Sequence, residues 1–322
     1  MQTAFLYPGQ GSQRVGMGAQ LLAEEPALFE RYVGAADRVT GLPISRCCLE
    51  GPLEELTRTE VAQPALFSLS LALTDYARHL GLEPSWVAGH SLGEYTAAVA
   101  AGALTFSDGL RLVADRGRAM AEIQSIRPGG MIAIAGLDAD AVQRLCEGSG
   151  GRVVVANVNS PIQVVVSGEV EALDGIASAA RAAGAEEAVR LNVGAAFHSP
   201  GMASVQERID TLARELEWKD PRVPVVSVLD GGLLERRLDV RSSLVRQITG
   251  TVNWLAVVRA LVRAGATSFF ELGSGRVLTG LARQTDPDID AFAADSPARV
   301  RLFHERSVAR QATSERGGGG SE

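Results

Sequence analysis

The sequence predicts an α/β protein with a hydrolase-like core around a parallel sheet and an inserted ferredoxin-like small domain. In residues 1–125, short apolar runs alternate with helical segments, as in parallel strands covered by helices. Over residues 126–194 the predicted order changes to βαββαβ, the ferredoxin-like pattern. The first pattern returns over residues 195–285, so the small domain is expected to interrupt the core.

The core begins with a strand, "TAFLYP", that ends in the glycine-rich turn "PGQGSQRVGMG". A helix is predicted over Ala62–Gly81, where apolar residues recur at helical spacing and a glycine ends the pattern. The strand "SWVAG" then leads through a tight turn into the alanine-rich helix "GEYTAAVAAGAL". This strand, turn and helix are a typical unit of a parallel α/β sheet.

The remaining segments complete both domains. In the insert, the strands are "GMIAIAGL", "RVVVANVNS", "IQVVVSGE" and "EEAVRLNV". In the returning core, Ser199 and Pro200 begin a helix, "VPVVSVL" is a strand, one helical stretch is predicted over 243–265, and "TSFFELGSG" is a strand and turn. Residues 286–322 are rich in Asp, Ser and Arg and end in "GGGGSE", which predicts a flexible tail or linker.

Composition narrows the function classes. The net charge of −7 argues against nucleic acid as the main partner. No apolar run approaches the roughly 20 residues that cross a bilayer, and the first residues do not resemble a signal peptide, so we expect a cytoplasmic protein that is not bound to a membrane. The three cysteines lack metal spacing, which predicts buried thiols and no metal site.

The strongest chemical signal is "GHSLG", residues 89–93, a G-x-S-x-G motif between a strand and a helix. Such a turn exposes its serine at a helix N-terminus, where amides favour developing negative charge. Ser91 is therefore a candidate nucleophile, and the amide of Leu92 is the natural oxyanion donor. In the alternative interpretation, Ser91 and Glu94 only form a capping box.

A serine nucleophile needs a base. The chain has four histidines: His79 is predicted at a helix end, His90 beside the serine but pointing away, and His304 in the tail. That leaves His198, in a loop between a strand and a helix start, where α/β active-site groups tend to lie. The alternative is a loop histidine that caps the next helix.

Two polar residues fall on apolar helix faces. Arg116 shares the face of Val113 and Met120, so its guanidinium needs a buried acceptor: either a structural ion pair or a substrate carboxylate bound in bidentate fashion. Gln247 shares the face of Leu244 and Ile248; it is either a plain packing residue or a group that orients a histidine.

The first turn is a poor phosphate loop, because Arg14 stands where G-x-G-x-x-G requires its third glycine. Strand ends lie side by side in a parallel sheet, so the amides of this turn are expected to face Ser91 instead.

Together these residues resemble the malonyl-CoA:acyl-carrier-protein transacylases and the acyltransferase domains of polyketide synthases. The resemblance rests on "PGQGSQ", "GHSLGEYTA", "DRGRAM", "ANVNSPIQVVVSG", "AAFHSP", "LVRQI" and "FFELGSGRVLTGL", in the family's order, up to about residue 285. It implies an acyltransferase that moves malonyl from malonyl-CoA to the phosphopantetheine thiol of an acyl carrier protein, in fatty acid or polyketide biosynthesis. It implies no cofactor beyond the coenzyme A thioester.

The resemblance also implies roles for single residues. Ser91 would bear the acyl ester and His198 would activate it. The amides of Gln10 and Leu92 would form the oxyanion hole, Arg116 would bind the malonyl carboxylate, and the carbonyl of Gln247 would orient His198. Within the family, a Phe before the histidine is typical of malonyl preference, which makes Phe197 a candidate specificity residue.

Two rival hypotheses remain at this point. A serine hydrolase would need a carboxylate for its histidine, such as Asp138 or Glu169, or a patatin-like Ser–Asp dyad with Asp230 in "LDGG". An editing acyl hydrolase would release acyl groups from carrier-protein thioesters, but Arg116 argues against it, because simple acyl groups present no carboxylate.

Overall fold

The computed structural model describes residues 2–317, with side chains described for 2–310. Its strands form two sheets, one of six strands and one of five. They are β1 (Thr3–Tyr7), β2 (Trp86–Gly89), β3 (Gly130–Ala135), β4 (Val153–Ser160), β5 (Gln163–Gly168), β6 (Glu187–Arg190), β7 (Val225–Val226), β8 (Leu233–Leu234), β9 (Val252–Asn253), β10 (Ser268–Leu272) and β11 (Ala291–Ala294).

The helices surround these sheets. They are α1 (Ala19–Glu24), α2 (Pro26–Phe29), α3 (Ala35–Thr40), α4 (Ile44–Glu50), α5 (Leu53–Thr57), α6 (Thr59–His79), α7 (Leu92–Ala100), α8 (Phe106–Ile126), α9 (Ala139–Glu147), α10 (Val170–Ala182), α11 (Ala203–Glu215), α12 (Arg237–Arg246), α13 (Trp254–Arg263), α14 (Val277–Thr285) and α15 (Pro297–Gly317). A π-helical turn (Glu30–Gly34) follows α2, and a 3₁₀ turn (Pro200–Met202) precedes α11. Over the described part of the chain, no helix is both long and apolar enough to span a membrane.

The six-stranded sheet has the order β11-β10-β1-β2-β7-β8, and its first five strands are parallel. Alternate residues of β1 face opposite layers, as expected for a strand buried on both sides. Phe5 and Tyr7 join the cluster that contains residues of α6, α7 and α8. Ala4 and Leu6 join the cluster that contains residues of α13 and α14. The predicted α/β core with helices on both faces is confirmed.

The five-stranded sheet has the order β6-β3-β5-β4-β9. Its first four strands are antiparallel and follow the βαββαβ order, with α9 and α10 packed on one face. The fifth strand, β9, comes from the core and pairs with β4 in parallel. The helical stretch predicted over 243–265 was therefore wrong in its middle. There the chain extends into β9, and the Asn253 side chain accepts from the Ala256 amide (3.0 Å) to begin α13.

The flexible tail predicted from residue 286 is also corrected. The chain adds β11 to the edge of the core sheet, in parallel with β10, and continues into α15. Phe303 of α15 is buried and stacks on Phe270 with a centroid distance of 3.8 Å. The polar composition that suggested flexibility belongs to the outer side of this segment, where Arg306 pairs with Asp290 (3.0 Å). Residues 318–322 of the predicted tail lie outside the described residues.

Candidate active site

The turn between β2 and α7 holds Ser91 in a backbone conformation that few residues adopt. Its φ of 52° lies in the positive region that L-residues avoid, a strain typical of functional turns. The flanking glycines are sterically required. A Cβ on Gly89 would lie 1.9 Å from the carbonyl carbon of Gly93, and a Cβ on Gly93 would lie 1.9 Å from the carbonyl oxygen of Tyr7. The two glycines of the G-x-S-x-G motif thus permit this tight turn, because a side chain at either position would clash with the backbone.

His198 meets this serine from the loop after β6. The Ser91 hydroxyl lies 2.8 Å from Nε2, and Nδ1 donates to the main-chain carbonyl of Gln247 at 2.7 Å. Burial lowers the pKa of His198 to about 3, and the nearby charge of Arg116 acts in the same direction. The imidazole is therefore neutral at physiological pH, and Nε2 is free to accept the hydroxyl proton.

A main-chain carbonyl thus takes the place of the acid in a Ser–His–Asp triad. The carboxylates that a hydrolase would require lie elsewhere. Asp138 accepts from the Ala141 amide (2.7 Å) at the start of α9, and Glu169 precedes α10. Asp230 accepts from the Gly232 amide (2.9 Å) within its own turn. The structure therefore gives no support to a triad or dyad built on these carboxylates.

Arg116 points into the interior from α8, with 1% of its surface exposed. Its Nη1 donates to the Gln63 side-chain oxygen (2.7 Å), and its Nη2 donates to the Ser91 hydroxyl (2.9 Å). The guanidinium also lies over the Tyr95 ring, 5.1 Å from the centroid. In the part of the chain that the structure describes, no carboxylate forms an ion pair with it, and its Nε has no hydrogen-bond partner. The structural ion pair is absent there, and the charge beside Ser91 suits an anionic ligand.

Gln247 lies at the end of α12 and is fully buried. Besides its main-chain contact to His198, its side-chain nitrogen donates to the carbonyl oxygen of Ser91 at 2.8 Å. Its side-chain oxygen accepts from Arg116 Nη2 at 3.3 Å. Gln247 therefore contacts Ser91, His198 and Arg116.

Ser91, His198, Arg116 and Gln63 line one cavity of about 620 Å³. Tyr7 and Gly89 are paired at the ends of β1 and β2, so the glycine-rich turn lies beside the serine turn. Gln10, Leu92 and Phe197 also line the cavity. The opposite wall comes from the five-stranded sheet and includes Met131, Ala133, Asn157, Asn159, Gln163 and Val165.

Comparison with known proteins agrees with this geometry. The profile of the family described as "Acyl transferase domain" matches residues 4–285, most of the chain. The chain belongs to the acyl transferase family.

Two relatives of this chain are similar to it over nearly their whole length. Over 302 residues, the chain is 36% identical to a malonyl CoA-acyl carrier protein transacylase of Bacillus subtilis and 38% identical to one of Salmonella typhimurium. Both alignments cover 93% of this chain, and they cover 95% and 97% of the respective relatives.

Solved acyl transferase structures share the fold. A malonyl-transacylase in complex with a type II polyketide synthase acyl-carrier protein superposes with a TM-score of 0.91 at 36% identity, covering 95% of this chain and 100% of that one. The malonyl CoA-acyl carrier protein transacylase of Coxiella burnetii also gives a TM-score of 0.91, at 32% identity, covering 95% of this chain and 97% of that one.

Sequence reasoning missed several groups of this acyl transferase site. Gln63 binds Arg116, and Tyr95 lies beneath it, yet both looked like ordinary residues of apolar helices. Asn159 Oδ1 accepts from His90 Nε2 at 2.9 Å, a contact between the two sheets that no sequence spacing signals. The sequence predicts Glu94 only as a possible capping residue, because its hydrogen bond with Gln247 depends on a tertiary contact.

Proposed function

We propose that this chain is an [acyl-carrier-protein] S-malonyltransferase. It moves malonyl from malonyl-CoA to the phosphopantetheine thiol of an acyl carrier protein through a malonyl-Ser91 ester. The named relatives and the solved complex of a relative with a carrier protein support this function. The observation that carries it is Arg116: a buried guanidinium without a carboxylate in the described structure, 2.9 Å from the Ser91 hydroxyl.

In the first half-reaction, Ser91 Oγ attacks the thioester carbonyl carbon while His198 Nε2 takes the hydroxyl proton. The tetrahedral oxyanion receives hydrogen bonds from the amides of Gln10 and Leu92. The C–S bond then breaks, and the departing coenzyme A sulfur takes the proton from His198. The carbonyl of Gln247 stabilises the transient imidazolium at Nδ1.

The second half-reaction reverses these roles. The carrier-protein thiol gives its proton to His198 and attacks the ester carbonyl, and Ser91 leaves with the proton restored. Arg116 holds the malonyl carboxylate throughout and orients the ester for the incoming thiol. Each of these roles belongs to a side chain or amide, so the proposed reaction requires no cofactor and no metal.

Phe197 is the proposed selectivity residue. It is 5% exposed, precedes the base in the chain and lines the cavity, and the proposal is that its ring limits the space for a methyl branch on the acyl group. The three cysteines are free and buried, which is compatible with the reducing cytoplasm that we propose as the site of action.

Mass spectrometry of the intact protein tests the reaction. We expect malonyl-CoA to add one malonyl group, stable for minutes, and a carrier protein bearing its phosphopantetheine arm to remove it as malonyl-carrier protein. Ser91→Ala must abolish the adduct. Preferential acetyl loading followed by release to water would instead indicate an editing hydrolase. Comparing kcat/KM with carrier proteins of fatty acid and polyketide synthesis assigns the pathway.

A further inference from the structure

Glu94 is a buried carboxylate directly behind the nucleophile turn, and the proposed reaction does not use it. It lies in the first turn of α7, three residues after Ser91, with none of its surface exposed. Burial raises its pKa to about 7, and hydrogen bonds to its oxygens act against that rise. Burying a carboxylate costs desolvation free energy unless hydrogen bonds compensate for it. The hydrogen-bond partners of Glu94 therefore indicate its role.

The three donors to Glu94 all lie within residues 228–247, far from Glu94 along the chain. Oε1 accepts from the Val228 amide (3.1 Å) and from the Ser243 hydroxyl (2.7 Å). Oε2 accepts from the side-chain nitrogen of Gln247 (3.0 Å). The two carboxylate oxygens therefore have different tasks: one binds groups remote from the cavity, and the other binds a residue of the active site.

The contact with Gln247 determines the orientation of its amide. The amide NH₂ has two hydrogens, and its two acceptors are Glu94 Oε2 and the carbonyl oxygen of Ser91. The amide oxygen must then face Arg116 Nη2, as it does at 3.3 Å. The opposite orientation would direct NH₂ at the guanidinium, donor against donor, and an amide oxygen at a carboxylate.

We propose that Glu94 is a positioning residue: it fixes the Gln247 amide so that its oxygen holds Arg116, while the main-chain carbonyl of Gln247 holds His198. The inference rests on the malonyl transfer proposed above. Glu94 does not touch substrate. It acts on the carboxylate-binding group and on the base through one intermediate residue, Gln247. In its ionised form it also contributes a negative charge near Arg116.

Glu94→Gln isolates this effect with little change of shape. The new amide oxygen can accept from Val228 and Ser243, but its NH₂ then faces the NH₂ of Gln247. Gln247 must rotate, and its nitrogen turns toward Arg116. We expect the rate of Ser91 acylation by malonyl-CoA to fall about tenfold, within the range of couplings between contacting residues. Acetyl-CoA, which has no carboxylate for Arg116, should be affected less.

The experiment is a double-mutant cycle at pH 8, with acylation by malonyl-CoA and by acetyl-CoA followed by rapid quench and intact mass. The variants are Glu94→Gln, Gln247→Leu and the double variant. The control is Ser243→Ala, which removes a partner of the other carboxylate oxygen. We expect Glu94→Gln to change the rate less than about twofold in the Gln247→Leu background. Ser243→Ala should lower Tm but keep the wild-type ratio of malonyl to acetyl rates.

Equal losses from Glu94→Gln in both backgrounds would overturn the inference, because Glu94 would then act independently of Gln247. A Ser243→Ala variant that reproduces the changed malonyl to acetyl ratio would also overturn it, and this comparison decides the question if Gln247→Leu does not fold. A wild-type protein that never forms malonyl-Ser91 would instead refute the proposed function itself, and with it the inference.

Discussion

Arg116 brings a positive charge into the protein interior, where the described acceptors are neutral oxygens of Gln63, Ser91 and Gln247. Burial lowers the pKa of its guanidinium, and the charge of Glu94 opposes that shift. A substrate carboxylate would supply the missing negative charge at the group that needs it most. At the scale of single residues, we therefore propose that this incompletely paired arginine selects a substrate that carries a carboxylate.

Removing that charge should change both rate and selectivity. For Arg116→Ala we expect the acylation rate with malonyl-CoA to fall at least ~100-fold, since two charge-assisted hydrogen bonds of about 1.5 kcal/mol each are lost. The rate with acetyl-CoA should fall much less. The matched control is Arg118→Ala, on the same helix but exposed. Equal losses for both thioesters would contradict carboxylate binding by Arg116.

The base should remain neutral far below the usual histidine range. Because burial and Arg116 lower the pKa of His198 to about 3, its imidazole stays uncharged as the pH falls from 8 to 5. Folding stability from this residue is present above the ordinary histidine pKa and is lost as the pH falls from about 6.5 toward 3. NMR of ¹⁵N-labelled histidine, assigned with His198→Ala, measures this directly. A midpoint near 6.5 would refute it.

At the scale of elements, the site depends on two turns that pack against each other. The turn after β1 passes so close to the serine turn that a Cβ on Gly9 would lie 2.5 Å from the His90 carbonyl oxygen. The amide of Gln10 is thereby held in the cavity wall beside Ser91. Glycine at positions 9, 89 and 93 lets the two turns pack closely, as the proposed oxyanion hole requires.

Gly93→Ala tests that close approach. The added methyl would lie 1.9 Å from the Tyr7 carbonyl oxygen, so α7 must move away from β1 and take the Leu92 amide with it. We expect malonyl acylation to fall at least ~100-fold, as when an oxyanion donor is lost. Gly175→Ala is the control: its exposed helical site has open space, and the variant should keep activity and gain up to ~1 kcal/mol. An active Gly93→Ala enzyme would contradict the steric argument.

For the whole molecule, the C-terminal segment completes the core. The last strand covers one edge of the large sheet, and Phe303 of α15 stacks on Phe270 of β10. Phe303→Ala should lower the free energy of unfolding by about 3–5 kcal/mol, because it leaves a cavity against the sheet. The neighbouring Leu302→Ala, at a position 42% exposed, should cost less than ~0.5 kcal/mol. Denaturant unfolding of both variants measures the difference, and similar losses would refute the packing role.

Periodicity and motif spacing predicted the two sheet classes, because both signals depend on residues that are close in sequence. They also singled out Ser91, His198 and Arg116, which the structure brings together. The interruption by β9 was not predictable, since its extended form depends on pairing with β4, almost a hundred positions away. The composition after residue 286 was misleading because a helix with a narrow buried face, here Val300 and Phe303, remains mostly polar. Gln63 and Glu94 gained their meaning only from tertiary contacts with Arg116 and Gln247.

The cavity wall opposite the serine has a consequence for how such an enzyme changes over evolution. Met131, Ala133 and Val165 belong to the small sheet, whereas Ser91 lies in the turn after β2 of the large sheet and Arg116 lies in α8. Substitutions on that wall can alter the size of the acyl group admitted while Ser91, His198 and Arg116 keep their mutual distances. The same fold can therefore change its acyl selectivity while it keeps its catalytic residues. A mutant library confined to the small sheet is the place to search for new acyl preferences.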